Sequence, residues 1–184
     1  MNFYFEIKIV PDNKVRENVL LNKVYTELHK NLVVLNSNNI GVSFPEYFLK
    51  LGKVLRIHGS ETDLNKLQNR NWIVDLSDQY QVSKITYIPQ DAKYRIISRM
   101  QSTMTLSKLN RLKKRGAITT AEQEKSYKVK MLSKGLDNPY VELVSDSTGH
   151  LYRRFLQFTT LSDEPINGEF DTFGLSKTAT VPIF

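Results

Sequence analysis

The chain has 184 residues, 40% of them hydrophobic and 24% charged, with 26 lysines and arginines against 19 aspartates and glutamates, the make-up of a globular protein with room for one large or two small domains. It contains no cysteine, which excludes disulfides, cysteine-ligated zinc and thiol nucleophiles. No apolar run approaches membrane-spanning length and the N-terminal residues lack the pattern of a secretory signal, so the chain reads as cytoplasmic with no membrane partner.

In chain order, Phe3-Tyr4-Phe5-Glu6-Ile7-Lys8-Ile9 alternates strictly and predicts a half-buried strand, broken at Pro11-Asp12-Asn13. Residues 15–33 carry Leu21, Val24, Leu28 and Leu32 on one helical stripe. Ile40–Phe44 alternates again up to Pro45, and Val54–His58 is a further strand. Ser60, with Asp63 three residues on, caps a short helix that buries Leu64 and Leu67. Ser83–Ile88 is read as the last strand before Pro89.

The order β-α-β-β-α-β over residues 1–88 predicts an α+β fold beginning with a ferredoxin-like (RRM-like) domain, residues 1–90. The RNA-stacking signature of a true RRM is absent from every strand, so the sheet face is not the expected RNA platform. After Asp91 the character changes. Tyr94–Gln101 is extended, a basic helix spans about 106–115 and stops at Gly116, and a second helix near 120–134 starts at Thr119 or Thr120. Tyr140–Val144 and Leu151–Phe158 form a hairpin across Asp146-Ser147-Thr148-Gly149. Residues 91–184 thus form a second α+β domain, with a basic helix and a β-hairpin.

Charge distribution points to a partner. Residues 91–154 hold 14 lysines and arginines against 6 acids, whereas the rest of the chain holds 12 against 13. A surplus confined to one block suggests a docking face for a polyanion. On the basic helix Lys108, Arg111 and Arg115 project within about 60° of one another, with Lys114 flanking them. Leu106, Leu109 and Leu112 cover the neighbouring arc. The alternatives are a solvated charged face or an interfacial membrane helix; the latter is disfavoured because the leucines are needed for packing. Arg99 and Gln101, two apart in an extended stretch, leave the same face. Arginine reads guanine and glutamine reads adenine by paired hydrogen bonds. The A-form major groove admits such side chains only near helix ends and loops, so the expected partner is a short RNA hairpin.

RNA is cut without metal when a base takes the 2′-hydroxyl proton and that oxygen attacks the adjacent phosphate. Histidine suits this, with an unperturbed pKa near 6.5. The candidates are His29, His58 and His150. His29 lies one step off the apolar stripe of the first helix, at the edge of its buried face. Taken singly, each histidine is more readily a structural or surface residue than a catalyst. The acids are scattered, no metal-ligand spacing occurs, and phosphate-binding and nucleophile-elbow glycine motifs are absent, so neither metal nor cofactor is expected.

Six segments keep their order and spacing over the whole chain. They are Glu27-Leu28-His29-Lys30, Ile40-Gly41-Val42-Ser43-Phe44-Pro45, Leu55-Arg56-Ile57-His58, Ser98-Arg99-Met100-Gln101, Ser145-Asp146-Ser147-Thr148-Gly149 and the ending Phe173-Gly174-Leu175-Ser176-Lys177 with Val181-Pro182-Ile183-Phe184. Together they resemble the repeat-RNA-processing endoribonuclease family of type I-F CRISPR systems. The resemblance implies that His29 is the general base and that Ser145 holds the attacking hydroxyl. It assigns base reading to Arg99 and Gln101 and phosphate contact to the helix bearing Lys108, Arg111, Lys114 and Arg115. Ser147 and Thr148 join the RNA contacts, and Tyr152 stacks on the terminal base pair. Members cut the repeat hairpin at the 3′ base of its stem without metal and leave a 2′,3′-cyclic phosphate. They keep the crRNA and join the other subunits of the type I-F surveillance complex. The free chain is expected to be a monomer.

The chain departs from the family where a tyrosine commonly precedes Gly-Leu-Ser; here Phe173 stands, outside the expected catalytic set. No second histidine matches a general acid. The missing hydroxyl sustains an alternative, a non-catalytic RNA-hairpin-binding subunit of a ribonucleoprotein. DNA binding through the basic helix is a third reading, tested by competition with the DNA version of the same hairpin.

Overall fold

The structure is a computed structural model and describes residues 1–11, 15–73, 78–100, 104–133, 138–144 and 149–184, with backbone alone at 132 and 133. Strands β1 (Phe3–Ile9), β2 (Gly41–Ser43), β3 (Val54–Gly59) and β4 (Tyr80–Val82) form one sheet in the order β2-β3-β1-β4. Every pairing in it is antiparallel, with Phe5 opposite Ile57, Ile7 opposite Leu55 and Val42 opposite Ile57. With α1 (Glu17–Leu35) and α2 (Glu61–Gln68) between the strands, this is the split βαβ arrangement of a ferredoxin-like unit.

The alternation of β1 sends Phe5, Ile7 and Ile9 into the core, where they meet Leu20, Leu21, Val24, Tyr25, Leu28 and Leu32 of α1. Each such burial contributes about 1.5–3 kcal/mol relative to exposure. Ser60 Oγ accepts the Asp63 N–H at 3.0 Å, supplying the expected cap on α2.

The expected strand at Ser83–Ile88 is instead interrupted. Ser83 N–H donates to Glu6 O at 2.9 Å while its Oγ accepts the Glu6 N–H at 2.8 Å. A side chain thus takes the place of a ladder carbonyl, and the edge resumes only as β5 (Thr86–Tyr87), also paired with β1. That substitution leaves no period-2 signal to read.

β3 is buried on both faces. On the side away from α1, Arg56 binds Glu6 through Nε and NH2 at 2.8 and 2.7 Å. Its NH1 donates to Phe184 O at 2.8 Å, and its guanidinium lies 3.7 Å from the Phe184 ring centre. The last residue therefore acts as a lid over the sheet. Strand β10 (Val181–Ile183), which alternation does not reveal, pairs with β6 (Lys93–Arg95). A third sheet joins β7 (Ile97–Met100), β9 (Leu151–Phe158) and β8 (Tyr140–Val144) in that order. The β8–β9 hairpin has the expected strand limits, and its turn residues 145–148 lie outside the described set.

The chain falls into two compact units, one joining Met1–Arg99 with Pro139–Phe184 and the other Met100–Asn138. Sequence character changes at residue 91, but packing follows different lines. Asn22 on α1 accepts the Glu142 N–H of β8 at 3.0 Å, tying the hairpin to the first helix.

The smaller unit contains α3 (Leu106–Lys114) and α4 (Ala121–Ser133). Thr105 Oγ1 caps α3 by accepting the Lys108 N–H. Gly116, at φ +72°, ends the helix in the left-handed turn that glycine adopts freely. At α4 the Thr120 Oγ1 and Gln123 side chains cap each other's backbone N–H groups. Among the described residues no helix is long and apolar enough to cross a membrane.

Candidate active site

Leu28 is fully buried and His29, the next residue, is half-exposed. The helix period thus sets the imidazole at the rim of the core. What holds it comes from the far end of the chain. Asp171 Oδ1 accepts the N–H groups of Phe173 and Leu175 at 2.9 and 3.0 Å. Asp171 also exchanges backbone hydrogen bonds with Leu175 and Gly174. Gly174 completes this tight turn at φ +68°. Three successive carbonyls then point toward the larger unit's core elements. Thr172 O accepts from His29 Nδ1 at 2.8 Å, Phe173 O from the Tyr25 hydroxyl at 2.8 Å, and Gly174 O from Val42 N–H at 3.0 Å.

The first of these bonds settles the tautomer. A carbonyl oxygen only accepts, so Nδ1 carries a hydrogen, and whenever the ring is neutral its lone pair lies at Nε2. The imidazole also lies flat on Phe173, with ring centres 3.5 Å apart and planes inclined by 14°. Phe173, outside the catalytic set expected from the sequence, is thus the surface against which His29 rests. Tyr25, one helical turn before His29, shares that stack more distantly at 6.3 Å. Burial, then the Asp171 carboxylate, push its hydroxyl above the ordinary tyrosine range, so it stays protonated as a donor.

Of the other histidines, His58 is fully buried with Nε2 2.8 Å from Ser43 Oγ. Burial, helped by Arg56 and the N-terminal ammonium, holds its pKa well below the usual value. It is walled off from any substrate. His150 is exposed.

Tyr152 on β9 sits opposite Leu143 and is half-buried. Arg99 on β7 is exposed. Gln101, Ser145, Ser147 and Thr148 lie outside the described residues. A cleft of about 450 Å³ opens along α1 beside Thr26 and Glu27, the turn before His29, with Trp72, Val144 and Leu151 on its other walls. Thr172 and Asp171 were not among the sequence candidates, because their contact with α1 spans more than 140 residues and leaves no local pattern.

In the smaller unit Arg111, Lys114 and Arg115 are exposed and make no ion pair among the described residues, and Lys108 is half-buried. Lys113 differs. It binds Glu124 at 2.6 Å, and Lys128 binds the same carboxylate at 2.7 Å. Hydrogen bonds from these two lysines hold the Glu124 carboxyl down at about 2. The cations left out of that bridge are those the helical wheel selected, and Lys113 is not among them.

A family model for a CRISPR-associated protein (Cas_Csy4) matches residues 4–184. The chain is 33% identical over 184 residues to the CRISPR-associated endonuclease Cas6/Csy4 of Escherichia coli (strain UTI89 / UPEC), covering all of both chains. It is 34% identical over 187 residues to the protein of the same name from Pseudomonas aeruginosa (strain UCBPP-PA14), again over the full length of both. A solved structure of the CRISPR endoribonuclease Cse3 bound to 19 nt RNA aligns over 99% of this chain and 100% of that one, at 12% identity and a TM-score of 0.40. With a match from Tyr4 to the last residue and relatives aligned end to end, the chain belongs to the CRISPR-associated Cas_Csy4 family, the type I-F CRISPR endoribonucleases that its motifs resemble.

Proposed function

We propose that the protein is a metal-independent endoribonuclease that recognises a CRISPR repeat hairpin by sequence and shape, cuts it at the 3′ base of the stem and keeps the crRNA product. The observation that carries this reading is the Nδ1–H of His29 held on Thr172 O at 2.8 Å, which leaves Nε2 as an oriented base at a half-exposed position. Two relatives named as endonucleases align with the chain over their whole length, which supports the same reading.

In this mechanism Nε2 of His29 takes the proton of the 2′-hydroxyl at the cleavage nucleotide, and Ser145 helps to hold that hydroxyl. The 2′-oxygen attacks the adjacent phosphorus, a 2′,3′-cyclic phosphate forms, and the bond to the 5′-oxygen breaks as that oxygen takes up a proton. Every step is proton transfer and in-line displacement, chemistry that a positioned imidazole accelerates by about 10²–10⁴-fold. Arg99 and Gln101 read base edges, Lys108, Arg111, Lys114 and Arg115 hold phosphates, Ser147 and Thr148 add RNA contacts, and Tyr152 stacks on the terminal base pair. The product-bound chain joins the other subunits of the type I-F surveillance complex in the cytoplasm.

A hairpin carrying hydrogen in place of the 2′-hydroxyl at the cleavage nucleotide tests the attack. The reading predicts tight binding and no cleavage. Cleavage of that RNA rules out the 2′-oxygen as nucleophile. Binding of both RNAs with cleavage of neither supports the alternative of a non-catalytic hairpin-binding subunit, which the absence of a hydroxyl on Phe173 favours.

A further inference from the structure

Arg154 lies on β9 and is only 7% exposed. Its guanidinium carbon sits 3.4 Å from the centre of the Phe173 ring. The His29 imidazole is 3.5 Å from the same centre, nearly parallel to the ring. Two flat groups cannot occupy one face of a phenyl ring at that distance, so they lie on opposite faces. The order is imidazole, phenyl, guanidinium. Among the described residues the buried Nε of Arg154 has no hydrogen-bond partner and its side chain makes no ion pair.

A buried cation that makes no ion pair is costly; here the π face of Phe173 lies against the guanidinium and offsets part of that cost, while the Asp171 carboxylate acts with Arg154 on the same Tyr25 hydroxyl. Each layer therefore depends on the next. Phe173 compensates the guanidinium, and the guanidinium keeps the phenyl ring from rotating out of contact with His29. The hydrogen bond to Thr172 O fixes one point of the imidazole, whereas the stack fixes its plane. Both are needed to direct Nε2.

We infer that Arg154 is a positioning residue for the reaction, holding the His29 ring plane through Phe173 without itself touching substrate. This inference rests on the proposed role of His29 as base. It also supplies what a tyrosine hydroxyl at position 173 does not: a second element that orients the imidazole. A guanidinium suits the place because it is planar and delocalised, whereas an ammonium on a flexible stem is neither.

The test compares Arg154→Met, which keeps length and loses charge and plane, with Arg154→Lys, which keeps charge alone. Binding is measured with the 2′-deoxy repeat hairpin, and cleavage of the all-ribose hairpin is measured at saturating protein. Arg154→Met is expected to bind within about twofold of wild type and to cut about 10–100-fold more slowly, the scale of a small misplacement of a reacting group. Arg154→Lys falls between the two. In parallel, nitrogen NMR of the ring of RNA-free protein reports one tautomer, with hydrogen on Nδ1, in wild type and a mixture in Arg154→Met. An unchanged cleavage rate, or binding and cleavage falling by the same factor, overturns the inference. Should Arg154→Met fail to fold, Arg154→Lys decides it by the same criterion. The NMR measurement needs no RNA. If the wild-type protein does not cut, the nuclease reading fails while the tautomer comparison still decides whether Arg154 sets the ring.

Discussion

The imidazole of His29 rests face to face on Phe173, with centres 3.5 Å apart, although the two residues stand 144 positions apart in the chain. The flat ring, not a hydroxyl, is what this geometry uses. Phe173→Tyr, which keeps the ring, is expected to cut the hairpin at close to the wild-type rate. Phe173→Leu keeps the volume but not the plane and is expected to cut about tenfold or more slowly with unchanged binding. Single-turnover rates on the repeat hairpin check both.

The turn that delivers Phe173 depends on Gly174. Its φ is +68°, and a Cβ there meets Val42 Cγ1 at 2.7 Å and Val42 N at 3.2 Å. Gly174→Ala is expected to lose about 1–3 kcal/mol from the backbone conformation alone, with a further loss from overpacking against β2. A fall in Tm of several degrees, roughly 2–4 °C per kcal/mol for a chain of this size, checks this by calorimetry.

How much of this was legible in the sequence depended on the range of the interaction. Alternation located β1, and the segments of β8 and β9 read as a hairpin around Asp146-Ser147-Thr148-Gly149. The stripe of Leu21, Val24, Leu28 and Leu32 located α1, and with it the rim position of His29. The family motifs singled out His29, and the structure gives it a fixed tautomer. Thr172, Asp171 and Arg154 left no trace, because a carbonyl acceptor has no sequence identity and β9 places an arginine where period-2 reading expects an apolar residue. The break at Ser83 was hidden for a similar reason, since a side-chain hydroxyl replaced a backbone partner. The helical wheel sets Lys113 apart from Arg111, and the position of Glu124, with which Lys113 pairs, shows what that lysine does instead.

That distinction predicts how binding responds to charge. Arg111→Glu with Arg115→Glu is expected to weaken binding to all hairpins alike and to flatten its salt dependence, because each cation that neutralises a phosphate accounts for about one unit of slope. Arg99→Ala is instead expected to relax discrimination at one guanine by about 1–3 kcal/mol. Affinities for matched and single-base-variant hairpins across a salt series separate the two behaviours.

His58 predicts an acid-sensitive fold. Its folded-state pKa lies well below 6.5 through burial, Arg56 and the N-terminal ammonium. Below about pH 6.5 the unfolded chain therefore takes up a proton that the folded one refuses. Stability falls as pH drops through that window, by at most about 1.4 kcal/mol per pH unit from this group. His58→Gln, which keeps a partner for Ser43 and does not titrate, is expected to lose that part of the slope in urea melts between pH 7 and 5.

The central claim is that the imidazole at position 29 removes the 2′-hydroxyl proton. Its most direct test is single-turnover incubation of wild type and His29→Ala with the cognate repeat hairpin in EDTA, with product ends read by mass spectrometry. The account predicts one cut at the 3′ base of the stem ending in a 2′,3′-cyclic phosphate for wild type, and bound but intact RNA for His29→Ala. Full cleavage by His29→Ala, or loss of wild-type cleavage in EDTA, contradicts it.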